Sequence, residues 1–231
     1  MEGKKNSLDV LLEERVGYGR GQQLLLRSLY VLLFSEGCET IVLGLLIPQL
    51  GDEWQMDTFR KSLLITMVYF GVSIGSYLET YSDRYGRYRF LLIDAIITSF
   101  FGLLSVFCTS YEFFLITRFF YGIGIGIILP LTATYITEVV PGTSRGRILT
   151  MSRVLWSGGC FVACFLGWFF LRSHHWRILL FLLCLPSFYA IYDLVYNGKE
   201  SLRYLWVNKR FDEAKDIIDM LTRENGREQI L

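Results

Sequence analysis

Two acids and one arginine stand in segments that are otherwise apolar: Glu36 and Glu39 in Phe34-Ser-Glu-Gly-Cys-Glu-Thr40, and Arg118 at the head of Arg-Phe-Phe-Tyr-Gly-Ile-Gly124. An ionisable side chain in the middle of a membrane-spanning helix costs about 2.5–3.5 kcal/mol on insertion scales, so each is a functional candidate. The spacing of Glu36 and Glu39 places both on one face of a helix. Two acids facing one arginine leave an excess negative charge that a proton or another cation would satisfy. A static ion pair joining two helices is the competing use of the same residues.

A second set of charges lies in two short loops. Asp83-Arg84-Tyr85-Gly86-Arg87 separates two apolar segments, and Tyr135-Ile-Thr-Glu138-Val-Val-Pro141-Gly-Thr-Ser-Arg145 separates two more. The alternating signs of Asp83, Arg84, Arg87, Glu138 and Arg145 suit a network of ion pairs that can part and re-form, or a set of charges that only fixes topology.

These residues need long apolar elements to hold them. The chain has 231 residues, 52% hydrophobic and 19% charged. Windows long enough to cross a bilayer, which takes roughly 20 residues, fall near 24–47, 63–82, 90–108, 113–137, 150–171 and 177–196. The expected fold class is therefore all-α: a polytopic membrane protein with six transmembrane helices, its lipid bilayer a partner by composition. Basic residues collect in the loops at 83–89 and 141–153, whereas the loops near 51–61 and 109–112 are richer in acids. By the positive-inside rule both termini are cytoplasmic, or matrix-side in an organelle. Arg172 to Arg177 forms one exception. Asp94 and Asp193, nearer the ends of their spans, are expected to snorkel toward the cytoplasmic arginines.

The organisation reads as residues 1–23, a cytoplasmic amphipathic segment with Leu8, Leu11 and Leu12 among acids; 24–196, the six-helix bundle; and 197–231, a cytoplasmic helical tail. In the tail Leu205, Phe211, Ala214, Ile217, Ile218 and Leu221 recur at helical spacing, and Gly226 is a plausible stop. The polar opening residues resemble no cleavable signal. The bundle divides three and three, as an inverted repeat would.

Other chemistries find little footing. A net charge of +1, spread over short loops, gives no reason to expect nucleic acid. The five cysteines show no metal or CxxC spacing and read as small packing or lipid-facing residues. Gly122, Gly124 and Gly126 are out of register for a dinucleotide fingerprint and lie inside an apolar span. With Gly75, Gly86, Gly158 and Gly159 they suit close helix packing, with Pro130 adding a bend. His174 and His175 lie in an outer loop, and no nucleophile, base and orienter occur together. No enzyme, cofactor or metal site is expected.

Taken together these residues resemble the amino-terminal half of a major facilitator superfamily transporter. The likeness is strongest to the synaptic vesicle 2-related proteins and their sugar and organic-ion transporting relatives. It rests on Gly17-Tyr-Gly-Arg20, Glu36-Gly-Cys-Glu39, the Asp83 loop, Arg118 to Gly124, Tyr135, Glu138, Pro141, Arg145, Trp156, Gly159 and Glu200-Ser201. It implies alternating access for a small organic solute (an organic ion, sugar or vitamin-like molecule) with possible symport of protons. Glu36, Glu39 and Arg118 would line the path. Asp83, Arg84, Arg87, Glu138 and Arg145 would form a cytoplasmic gate, and a second six-helix half or a membrane complex would complete the assembly. Glu79 stands where such transporters usually carry a glycine. That departure leaves an alternative, a half-transporter retained as a non-transporting structural subunit of a larger complex.

Overall fold

A computed structural model describes residues 12–226, apart from the side chains of Glu14 and Arg15. After a π-helical turn at Leu12–Val16 come six long helices: α1 (Arg20–Glu53), α2 (Thr58–Glu79), α3 (Arg87–Val106), α4 (Tyr111–Val139), α5 (Gly142–Arg172) and α6 (Trp176–Asn197). One helical turn, Ser82–Tyr85, joins α2 to α3, and α7 (Leu202–Val207) and α8 (Phe211–Glu224) follow the last span. No strand occurs among the described residues. All six long helices have the length and hydropathy to cross a membrane. At about 1.5 Å per residue even α3 spans about 30 Å, the hydrocarbon thickness of a bilayer.

The helices overrun the apolar windows because polar turns continue them past the hydrocarbon region. Asp57 accepts from Arg60 N (2.9 Å) to start α2, and Ser110 accepts from Phe113 N (3.4 Å) to start α4. Both caps satisfy backbone donors that the first turn leaves free. Leu8 and Leu11 lie outside the described residues.

Helices α1 and α4 form the centre. Helix α5 lies along α1, α2 along α4, and α3 and α6 pack on each other and on the central pair. The pattern survives exchange of the first three helices with the last three: the second helix of each triplet packs on the first helix of the other. The three-and-three division thus appears in packing.

Small residues make the two longest contacts. A Cβ added at Gly75 would stand 2.0 Å from the Ile123 carbonyl oxygen, and at Gly122 or Gly126 it would meet the carbonyls of Val68 or Val72 at 2.3 and 2.2 Å. On the other side Gly159 abuts Phe34 O and Gly37 abuts Trp156 O, each at 2.0 Å from such a Cβ. Cys38 Sγ donates to Gly159 O and Cys160 Sγ to Gly37 O, both at 3.2 Å. Backbones this close gain dispersion and weak polar contacts, the chief forces between helices in lipid. Gly158 departs from the expected pairing: one residue turns it about 100° from Gly159 on the helix, into open space.

Outside these seams α2 and α5 are exposed. Tyr69, Phe70, Phe161, Phe165 and Trp168 present a broad apolar surface, far larger than a water-soluble monomer tolerates.

Gly75→Ala should push α2 off α4 and lower stability by about 1–3 kcal/mol. Gly158→Ala should change it by less than about 0.5 kcal/mol. Thermal unfolding in detergent measures both.

Candidate functional site

The buried charges form two groups, one inside the bundle and one at the end that carries both described termini.

Inside, Arg118 is 1% exposed. Its Nη1 donates to Glu39 Oε2 at 2.8 Å and its Nη2 to Ser105 Oγ at 2.9 Å. The guanidinium lies 4.8 Å from the Phe114 ring centroid and 5.5 Å from that of Tyr121. These rings supply the cation–π attraction that a desolvated guanidinium accepts in place of water. Cys184 Sγ donates to the other oxygen of Glu39 at 3.4 Å. Four helices therefore hold one ion pair: α1 brings the carboxylate, α4 the arginine and rings, α3 the serine and α6 the thiol. Of the two acids, Glu39 takes the arginine, and Glu36, equally buried, keeps an Oε2 without a donor.

A cavity of about 260 Å³ opens beside the pair, with Glu39, Thr40, Tyr69, Arg118, Tyr121 and Trp156 among its lining residues. It lies between α1, α2, α4 and α5 and joins two charged groups, a hydroxyl and three aromatic faces. Such a mixture of apolar wall and a few placed polar groups fits a small organic molecule.

Asp94 does not snorkel. It lies about 10 Å inside α3 by helical rise, too deep for a short side chain to reach the end, and it faces Gly124 of α4. Within the glycine run, Gly122 and Gly126 face α2 whereas Gly124 faces Thr98 and Asp94 of α3. Asp193 is also buried, but its partner is Arg27 at the start of α1 rather than a loop arginine.

At the terminal end Arg87 bridges two acids: Nη2 lies 2.5 Å from Asp83 Oδ1 and 2.9 Å from Glu138 Oε1. Ser201 Oγ donates to the other oxygen of Glu138. Glu200 Oε1 accepts from the backbone of Arg87 (2.8 Å), Tyr88 (3.1 Å) and Ser201 (2.9 Å). A carboxylate from beyond the sixth span thus caps the first turn of α3, where free N–H groups and the helix dipole favour negative charge. Gly86 just before it has φ +106°, and an added Cβ would stand 2.3 Å from Glu200 Oε2. It is a turn residue at this cap, not the helix-packing residue expected.

Asp83, Arg87 and Glu138 come together. Arg84 is exposed beside the Tyr85 ring, and the Arg145 Nε–H points to the Val140 carbonyl oxygen at 3.1 Å. Ser201 and Glu200 are the members the charge pattern missed. Their signal was an acid and a helix-capping serine directly after a span that returns to the same end. Glu79, the departure from the usual glycine, accepts from Ser82 Oγ at 3.1 Å. At the far end Arg177 pairs with Glu53 at 3.2 Å, so the basic exception to the loop charge pattern is offset locally. No cluster of metal-binding side chains occurs among the described residues.

Comparisons with known proteins bear on the family and the fold. The family model for the sugar (and other) transporters matches residues 28–230. Synaptic vesicle 2-related protein of Xenopus laevis is 31% identical over 215 residues, covering 92% of this chain and 39% of the relative. Synaptic vesicle glycoprotein 2A of Homo sapiens is 30% identical over 225 residues, covering 91% of this chain and 30% of the relative. The fold matches the partially occluded, inward-open xylose transporter XylE from E. coli with a TM-score of 0.74 at 23% identity, over 84% of this chain and 52% of that one. The chain belongs to the sugar (and other) transporter family of the major facilitator superfamily, matches the amino-terminal half of such transporters and is similar to the synaptic vesicle 2 branch. It spans well under half the length of those two curated relatives.

Glu200→Ala removes one acceptor from three N–H groups and should cost about 2–4 kcal/mol, below the full penalty of about 1–3 kcal/mol per buried unpaired donor because all three bonds are only partly buried. Asp83→Ala, at a side chain that is 75% exposed, should cost less than about 1 kcal/mol. Chemical unfolding of both variants checks the contrast.

Proposed function

We propose that the chain is a transporter half that moves a small organic solute by alternating access, with both termini cytoplasmic. The observation that carries this reading is the Arg118–Glu39 pair on the wall of an aromatic-lined cavity. A pair serving only as a rivet would be best placed away from any cavity. Here a solute or proton entering from the cavity reaches the same carboxylate that neutralises the arginine. A molecule with hydroxyl or charged groups and an apolar face matches the lining. Glu36 and Glu39 together supply more negative charge than Arg118 offsets, which favours coupling to protons.

Asp83, Arg87, Glu138 and Ser201 act in this reading as the cytoplasmic latch. Their bonds tie the Ser82–Tyr85 turn, the end of α4 and the segment after α6 together, and rocking of the bundle would have to break some of them. The exposed faces of α2 and α5 flank the cavity and offer a seat for a second six-helix half, which would complete the pathway.

Flux of labelled sugars and organic ions into liposomes, under an imposed proton gradient, tests the proposal on the protein as isolated from its native membrane. Glu39→Gln should lower kcat/KM by about tenfold or more, because it removes the charge that the solute or proton exchanges with. Full activity in both Glu36→Gln and Glu39→Gln would remove the proposal. Recovery only within a larger complex, with no flux, would establish the structural-subunit alternative.

A further inference from the structure

A second cavity, of about 900 Å³ against about 260 Å³ for the one beside Arg118, lies between α1 and α5 on the side of the described termini. The two helices touch near their middles, where Gly37 and Gly159 bring the backbones together. The cavity fills the wedge between them on the terminal side of that seam.

The walls change character along the wedge. Phe34, Met151, Val154 and Leu155 make an apolar end next to the seam, and Arg27 and Arg147 stand at the other end. Those arginines precede Gly37 and Gly159 by ten and twelve residues, which by helical rise is about 15–18 Å. Half the hydrocarbon thickness of a bilayer is about 15 Å. With the seam near the midplane, both guanidinium groups reach headgroup depth while the apolar wall lies at the depth of the acyl chains.

Charge selects the headgroup. Arg27 gives its Nε and Nη2 to Asp193 of α6, which neutralises it, and keeps Nη1 without a protein acceptor. Arg147 is exposed and pairs with no acid among the described residues. The groove therefore carries an uncompensated positive charge and spare N–H donors, which suit a phosphate group. It is also separate from the Arg118 cavity. Trp156 lines that cavity, whereas Leu155, about 100° round α5, lines the groove.

We propose that this groove binds a phospholipid with an anionic headgroup, drawn from the leaflet on the side of the termini. Its phosphate is held by Arg147 and by Arg27 Nη1, and its acyl chains lie along Phe34, Met151, Val154 and Leu155. The site stands whether or not the chain transports a solute.

Native mass spectrometry of the protein as isolated, in detergent, tests it by titration with phosphatidylglycerol and with phosphatidylcholine of the same chains. Phosphatidylglycerol should bind about fivefold more tightly or better, and Arg147→Gln should remove about fivefold of its affinity. Arg153→Gln, at an exposed arginine of the same helix outside the groove, should change that affinity by less than about twofold. Val154→Trp, which fills the groove from an exposed position and leaves the charge unchanged, should weaken both lipids. Equal affinity for the two lipids overturns the proposal. So does an equal loss in the two arginine variants, which would mark general attraction to a basic surface, and so does wild-type binding in Val154→Trp. Glycerol 3-phosphate protecting the protein against thermal unfolding as well as phosphatidylglycerol does would assign the groove to a soluble anion and equally overturn it.

Discussion

The interior of this bundle is governed by one buried guanidinium. Arg118 is almost wholly buried, and an unpaired charge in that position would cost several kcal/mol. Its two terminal nitrogens are met from other helices, by the Glu39 carboxylate of α1 and the Ser105 hydroxyl of α3, and the Cys184 thiol of α6 supports Glu39. Rings of α4 itself cover its faces. The pair thereby fixes the relative rotation of the central helices. It also leaves Glu36, three residues before Glu39 on α1, with an Oε2 that no donor reaches. Structure and proposed chemistry share this origin.

Close backbone contact is the second requirement. Lipid offers no hydrophobic gain for joining apolar helices, so α2 and α5 are held through glycine seams, where carbonyl oxygens lie against Cα atoms. The seams keep α2 and α5 beside the cavity while leaving most of their surface free. At the terminal end the Glu200 cap and the Arg87–Glu138 bridge bind the last segment to α3 and α4. Asn225 after α8 adds bonds to Gly21 N (2.9 Å) and Gln22 Oε1 (3.0 Å), closing the tail on the start of α1.

Much of this was legible in the sequence because the physics is one-dimensional. Six apolar windows give six helices, loop arginines suggest the topology, and acids at i and i+3 share a face. The likeness carried by the Asp83 loop and the Arg118 segment extended to the family. What failed depended on rotation and depth. Asp94 was expected at the interface, but the rotation of α3 directs it to Gly124 and the interior. Gly158 and Gly159 looked equivalent until one helical step separated them. Glu200 acts on a helix more than a hundred residues earlier, a pairing that local spacing does not encode.

The central claim is that Glu39 and Arg118 act as one unit rather than as two independently placed charges. A double-mutant cycle with Glu39→Gln, Arg118→Gln and the double variant, read by thermal unfolding in detergent, measures this directly. A coupling energy of about 1.5 kcal/mol or more, with the double variant more stable than the sum of single losses implies, is expected for a buried hydrogen-bonded ion pair. Additivity within about 0.5 kcal/mol would contradict the account.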